Sequence, residues 1–75
     1  IAYGIYNDTT GTTILQDVQV IVESTNTNAS ILYNAYGIYN GGITTIIDST
    51  IDSMVQNGTG YGIYKLSTGT IILGE

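Results

Sequence analysis

The stretch Tyr3-Gly4-Ile5-Tyr6 decides the fold, because the same four residues recur at positions 36–39 and 61–64 of a 75-residue chain. Six of the seven tyrosines lie in these three copies. Recurrence at a spacing of a few tens of residues is typical of repeat proteins, in which each unit buries its apolar face against the next. The sequence therefore predicts stacked repeats, and it assigns no chemical activity to them.

The spacing of the copies divides the chain into three coils. Tyr36 follows Tyr3 by 33 residues, and Tyr61 follows Tyr36 by 25 residues. The eight extra residues of the first coil are assigned to a polar loop, because insertions in repeat proteins fall in loops. We place coil 1 at residues 1–34 with an inserted loop at 24–34, coil 2 at 35–59, and an incomplete coil 3 at 60–75.

Each coil contains three short runs of β-branched and aromatic residues. Besides the Tyr-Gly-Ile-Tyr run, residues 12–15 match 44–47 and 70–73, and residues 18–23 match 51–56. This composition favours strands, and no segment has a sustained helical period. We therefore predict an all-β solenoid of two and a half to three coils, with about 25 residues and three short strands per coil. Equivalent strands of successive coils are expected to pair in parallel.

Alternation of side chains along each strand gives the predicted core. It places Tyr3 and Ile5 on one side of the first strand, and Gly4 and Tyr6 on the other. The predicted inward rows are Ile5, Ile38 and Ile63 in the first strands, Ile14, Ile46 and Ile72 in the second, and Val18, Val20, Val22, Ile51, Ser53 and Val55 in the third. In this interpretation Tyr3, Tyr36 and Tyr61 fill a corner of the core.

The outward row Tyr6, Tyr39 and Tyr64 is the candidate ligand or partner face. One interpretation is a surface stripe of stacked rings with high β-propensity. The other is a platform for a carbohydrate or another partner, because tyrosine combines an apolar ring with a hydroxyl group.

Asparagines mark two further features of the sequence. The candidate glycosylation sites are Asn7, Asn28 and Asn57, each of which begins an Asn-x-Ser/Thr sequon. Asn7 and Asn40 also follow the first strand of their coils, where asparagine tolerates a left-handed backbone and can stack as a hydrogen-bonded ladder. Lys65 takes this position in coil 3 and interrupts the ladder.

The charge balance argues against nucleic acid and anionic membrane surfaces as partners. Lys65 is the only base and the net charge is −5, whereas phosphate binding needs clustered Lys and Arg. No uncharged apolar run approaches the roughly 20 residues of a membrane span, so no membrane insertion is expected. The chain has neither Cys nor His, which excludes disulfides and His/Cys metal sites.

The six carboxylates fall at different offsets within the coils, with no Arg or His beside them. We expect them to provide surface charge or turn capping, and we predict neither an enzyme nor a cofactor. A calcium site built from Asp and backbone carbonyls is the alternative, but the Gly-rich nonapeptide calcium repeat is absent.

The Tyr-Gly-Ile-Tyr-Asn units, followed by a Thr-Thr-Ile block, resemble right-handed parallel β-helix repeats of the pectin-lyase-like fold. Such repeats occur in bacterial or archaeal surface proteins, adhesin-like proteins and phage tail fibres. The resemblance covers nearly the whole chain except the loop at 24–34, and it implies an extracellular scaffold. It does not imply lyase activity, for which a basic residue beside acidic ones would be expected.

The Thr-Gly-Thr pairs at residues 10–12 and 68–70 resemble those of ice-binding solenoids. Coil 2 has Gly42-Ile43-Thr44 instead, which breaks the regular grid that an ice-binding surface needs. We therefore do not expect ice binding.

Two functional hypotheses follow. The first is a structural or assembly element of a cell-surface protein or filament, whose partners are adjoining repeats or copies of itself stacked end to end or packed laterally. It rests on a pattern that continues to both ends of the chain and would leave open strand edges. The second is an adhesin module whose outward tyrosine row binds glycans.

Overall fold

The computed structural model describes residues 1–74, which consist of strands joined by turns and one longer loop. The strands are β1 (Ala2–Asn7), β2 (Thr12–Gln16), β3 (Gln19–Thr25), β4 (Ala35–Asn40), β5 (Ile43–Ile47), β6 (Thr50–Gln56), β7 (Gly60–Lys65) and β8 (Thr70–Gly74). No helix occurs among these residues, so the prediction of an all-β chain is confirmed for them.

The strands form three parallel sheets. The first sheet has the order β1-β4-β7, the second β2-β5-β8, and the third contains β3 and β6. Consecutive strands therefore lie in different sheets. After every third strand the chain returns to the first sheet. The predicted parallel pairing of equivalent strands is confirmed. In the first sheet, Ile5, Ile38 and Ile63 share one register position, as predicted.

All three sheets contribute to one small core. Its buried members are Ile38 from the first sheet, Leu15 and Ile46 from the second, and Val20 from the third. The middle coil is the best covered, because it has a neighbour on both sides: Ile38 is fully buried, whereas Ile63 in the outer strand β7 is 39% exposed. Ser53, a polar residue in the predicted inward row, donates a hydrogen bond to the carbonyl of Ala35 at 3.1 Å.

The predicted register of the second strands is wrong, and the length of the preceding turn explains the error. Four residues connect β1 to β2, but only two connect β4 to β5. Leu15 therefore pairs with Ile46, and Ile14 pairs with Thr45. Ile14 and Ile72, predicted to lie in the core, instead belong to the outer face and are 67% and 48% exposed.

In the third sheet the observed register differs from the predicted one by two residues, whereas in the second sheet it differs by one. Val20 pairs with Ile51, while Val18 precedes β3 and is exposed. Because the shift is an even number, the predicted inward side of Val20, Val22 and Ile51 is retained. Nine residues at 26–34 join β3 to β4, against three at 57–59 between β6 and β7, so the loop holds only six of the eight extra residues. Ser24 and Thr25, predicted as loop, are part of β3.

The first strand of each coil does not alternate strictly, which corrects the predicted side of Tyr3. A Cβ atom on Gly4 would lie 2.8 Å from Cγ1 of Val20, so Gly4 faces inward. In β4, both Gly37 and the adjacent Ile38 are buried, with a half-buried tyrosine on either side. Two successive inward residues bring the flanking tyrosines to the same outer surface. Tyr3, Tyr36 and Tyr61 therefore do not fill a core corner.

We predict that Gly37→Ala lowers the free energy of unfolding by about 1–3 kcal/mol, the usual range for overpacking. A Cβ atom at position 37 would overlap Cγ2 of Ile51 and the carbonyl oxygen of Gly62. The matched control is Gly62→Ala in the outer strand, where a Cβ atom meets nothing within 4 Å. Denaturant titration should show a lower free energy of unfolding for Gly37→Ala. For Gly62→Ala the free energy of unfolding should stay within about 0.5 kcal/mol of the wild-type value. Equal losses would contradict the inward orientation of this glycine row.

Candidate functional site

Six tyrosines cover the outer face of the first sheet in two stacked rows. In the predicted row, the ring centroids of Tyr6 and Tyr39 are 5.1 Å apart, and those of Tyr39 and Tyr64 are 5.3 Å apart. The second row, Tyr3, Tyr36 and Tyr61, has centroid distances of 5.3 and 5.0 Å. All four pairs are near parallel, with interplanar angles of 6° to 17°. We call this surface the tyrosine face.

The two rows of the tyrosine face meet edge to face. The rings of Tyr36 and Tyr39 lie 5.3 Å apart at 85°, and the pairs in the outer coils have the same arrangement. Tyr36 also contacts Tyr64 diagonally, at 5.2 Å and 74°. Parallel stacking and edge-to-face contact are both arrangements that the quadrupoles of aromatic rings favour. The face is therefore a packed layer of rings rather than a set of independent side chains.

This packing limits what the face can bind. Tyr39 has a ring stacked on either side, by Tyr6 and by Tyr64, so its two ring faces are occupied. Only the rings of the outer coils have an uncovered face, and Tyr6 is 59% exposed. The middle of the tyrosine face presents ring edges and hydroxyl groups to solvent. Such a surface offers hydrogen bonds over its whole length, but flat stacking positions only at its two ends.

The neighbours of Tyr39 change its acidity. Partial burial raises the pKa of the Tyr39 phenol above its usual 10.0, and the phenols of Tyr6, Tyr3, Tyr64 and Tyr36 raise it further. Both causes disfavour the phenolate, because a charge at this position would be poorly hydrated and would face other ionising phenols.

A buried ladder of polar side chains lies at the end of the same strands. Asn7 and Asn40 are buried, and Nδ2 of Asn7 donates a hydrogen bond to Oδ1 of Asn40 at 2.9 Å. The hydroxyl of Thr44, also buried, donates to the same oxygen at 2.8 Å. The predicted asparagine ladder is thus present, but neither residue has a left-handed backbone. That conformation occurs at Asp17, Asp48 and Asn57.

The three sequons differ in their accessibility. Asn7 is 5% exposed and its amide nitrogen donates hydrogen bonds within the ladder. Asn28 is exposed in the loop, where its side-chain oxygen accepts a hydrogen bond from the backbone N–H of Ser30. Asn57 is half-buried, and its amide nitrogen donates to the carbonyl of Asn26 at 2.6 Å. Asn28 is the sequon most open to modification.

Among residues 1–74, the threonines form no regular grid and the acidic residues form no metal-binding cluster. Thr12 and Thr70 occupy one register position of the second sheet, but Ile43 stands between them, so the threonine grid is interrupted as expected. Asp17 and Asp48 occupy equivalent turns between the second and third strands of their coils. Among residues 1–74, no three acidic side chains come together as metal ligands. Residues 1–74 also contain no helix of the length and hydropathy that a membrane crossing requires.

Comparison of the chain with protein-family models, with curated proteins and with solved structures found no match. The resemblance to pectin-lyase-like repeats therefore rests on the sequence pattern and on the parallel all-β architecture, and it carries no residue role from another protein to this chain.

We predict that, at alkaline pH, the free energy of unfolding falls less steeply with pH in Tyr39→Phe than in the wild type. Folding raises the pKa of this phenol. Its contribution to the free energy of unfolding is therefore fully present below pH about 10, and it is lost as the pH rises through the raised pKa of the folded state. Phenylalanine keeps the stacked ring but cannot ionise. Denaturant titrations at several pH values should show a shallower alkaline decline for this variant than for the wild type.

The matched control is Tyr33→Phe, which removes a phenol that lies in the loop outside the tyrosine face. The comparison separates the effect of the Tyr39 phenol, which is packed among other rings, from the loss of any one tyrosine hydroxyl. An identical decline for Tyr39→Phe and the wild type would contradict the assigned coupling among the rings.

Proposed function

We propose that this chain is a non-catalytic structural module of an extracellular surface protein or filament, which assembles through the open edges of its sheets. The observation that carries this proposal is the alignment of like residues in rows that end at unpaired strands. Ile5, Ile38 and Ile63 form one such row, and the tyrosines and asparagines form others. Each row can be extended by one more unit without changing any contact already made.

The proposed architecture is a right-handed parallel β-helix. The chain visits the three sheets in a fixed order and then returns to the first. Connections between parallel strands of one sheet are right-handed in about 98% of cases, because a right-twisted strand packs back onto its sheet only in that sense. Residues from all three sheets share one core, which supports sheets arranged as the sides of a coil.

The ends of the stack favour further association. Within residues 1–74, β7 and β8 each have a partner strand on one side only. Ile63 and Leu73, which align with the buried Ile38 and Ile46, are 39% and 73% exposed. Unpaired backbone groups beside exposed apolar side chains form a template for strand addition. Repeat proteins that remain monomeric carry polar capping units at such ends.

The proposal predicts concentration-dependent assembly. Sedimentation velocity at increasing protein concentration should show species larger than the monomer, and electron microscopy should show fibres. Ile63→Lys should suppress assembly, because it places a charge at the end of the apolar row, where the parent side chain is already partly exposed. Ile31→Lys makes the same change in the loop, at a side chain 46% exposed, and should assemble like the wild type. A folded wild-type monomer at every concentration would contradict the proposal.

The alternative is an adhesin module that binds glycans through the tyrosine face. It is favoured by the exposed edges and hydroxyl groups of the rings, and Tyr6 is the most exposed of the six. Binding on a glycan array that is lost in Tyr6→Ala and retained in Tyr33→Ala would support this alternative. Tyr33 is the matched control because it is also exposed but lies outside the face. Absence of glycan binding in a chain that forms fibres would support the structural role.

A further inference from the structure

The hydrogen bonds of the asparagine ladder point in one direction along the stack. Asn7 Nδ2 donates to the carbonyl of Gly11 in its own turn at 3.4 Å, and forward to the carbonyl of Ile43 in the next coil at 2.9 Å. Asn40 Nδ2 repeats this pattern with the carbonyl of Gly42 at 3.1 Å and that of Thr70 at 2.9 Å. Each coil therefore presents a donor to the coil that follows and an acceptor to the coil that precedes.

The last coil presents a stronger donor. Lys65 occupies the position of Asn40, and its Nζ donates to the carbonyls of Leu66 and Gly69, both at 3.2 Å. Gly69 precedes β8 as Gly42 precedes β5, so Lys65 makes the same bond to its own turn as the asparagines do. An ammonium group has three donors and no acceptor. One donor therefore stays available for a group beyond the last coil.

The first coil presents the matching acceptor. Among residues 1–74, Oδ1 of Asn7 accepts no hydrogen bond, although the equivalent oxygen of Asn40 accepts two. Every buried side-chain polar atom in this part of the chain has a partner. The Asn7 oxygen is therefore not completely enclosed, and it belongs to the first member of the ladder, to which a preceding coil would supply a donor.

We propose that a second copy of this chain docks head to tail, with its β1 and β2 against β7 and β8 of the first copy and its Asn7 Oδ1 accepting a hydrogen bond from Lys65. This inference rests on the assembly proposed above. It adds the direction in which the copies stack and names the pair of residues, Lys65 and Asn7, that sets this direction. The stacked rows of the tyrosine face would continue through the junction, because Tyr64 would meet Tyr6 of the next copy. Two of the three sheets would be continuous, whereas β6 of the first copy and β3 of the second would each keep a free edge.

The symmetric arrangements are disfavoured by the same side chains. Tail-to-tail docking would bring two lysines together, and head-to-head docking would bring together two carbonyl oxygens without a donor. Head-to-tail contacts use different surfaces on the two copies, and such contacts generate open filaments unless the rotation closes a ring. The donor at one end and the acceptor at the other therefore specify a polar filament of this chain.

The test compares the critical concentration for assembly of the wild type, Lys65→Met and Lys65→Arg by sedimentation. Lys65→Met keeps an apolar stem but removes every donor, and we expect its critical concentration to rise at least about tenfold, as for loss of a charge-assisted hydrogen bond. Lys65→Arg restores a cationic donor and should stay within about threefold of the wild type. Asn28→Asp, in the exposed loop, makes the same change in net charge as Lys65→Met and should have no effect.

A second measurement uses the wild type alone, so that it does not depend on the folding of a variant. Lys65 is the only lysine, and its reaction with an amine-acylating reagent can be followed by peptide mass spectrometry. Labelling of Lys65 should fall severalfold when the monomer assembles. Fibres that form with unchanged Lys65 labelling, and with an unchanged critical concentration for Lys65→Met, would overturn the head-to-tail pair but leave the assembly function standing. A wild type that does not assemble would overturn both.

Discussion

In-register stacking of like side chains is the constraint on which the structure depends. A single coil cannot bury its apolar side chains alone, and the chain has neither disulfides nor His/Cys metal sites to hold it. The buried Nδ2 of Asn7 and Oδ1 of Asn40 find partners only when the two residues lie side by side with Thr44 and the neighbouring carbonyls. A slip of one residue would leave such groups unpaired, at about 1–3 kcal/mol each, and would move the inward side chains to the outside.

The glycine row and the tyrosine face are two consequences of the same register. Gly4 and Gly37 face the core, where side chains of the third sheet leave no room for a Cβ atom. Because an isoleucine that also faces the core follows each of them, the tyrosines before and after are both directed outward. Stacking then converts these tyrosines into a continuous layer of rings. The surface with the most distinctive chemistry is thus a product of the packing that forms the core, which favours a structural role over a dedicated binding site.

The sequence predicted the stacking of repeats, the parallel pairing and the outward row of Tyr6, Tyr39 and Tyr64, because repetition of one tetrapeptide fixes the register of the first sheet. It did not predict the register of the second sheet, since the turn after β4 is two residues shorter, whereas identical Thr-Thr-Ile letters align with a gap of only one residue. The outward position of Tyr3 was also missed, because strict alternation does not allow Gly4 and Ile5 to face the same side. The left-handed Asp17 and Asp48 were missed as well, although each lies two residues before the third strand of its coil and an aspartate tolerates that conformation.

The most direct test of this account is the register of the second sheet, measured by disulfide formation in a chain that has no cysteine of its own. The structure pairs Ile14 with Thr45 on the outer face, whereas Ile46 points into the core. Neighbouring parallel strands lie within the Cα separation that a disulfide spans. The double variant Ile14→Cys/Thr45→Cys should therefore form an intramolecular disulfide readily, and Ile14→Cys/Ile46→Cys should not. Preferential bridging of the second pair would contradict the in-register stacking on which the fold and the proposed assembly depend.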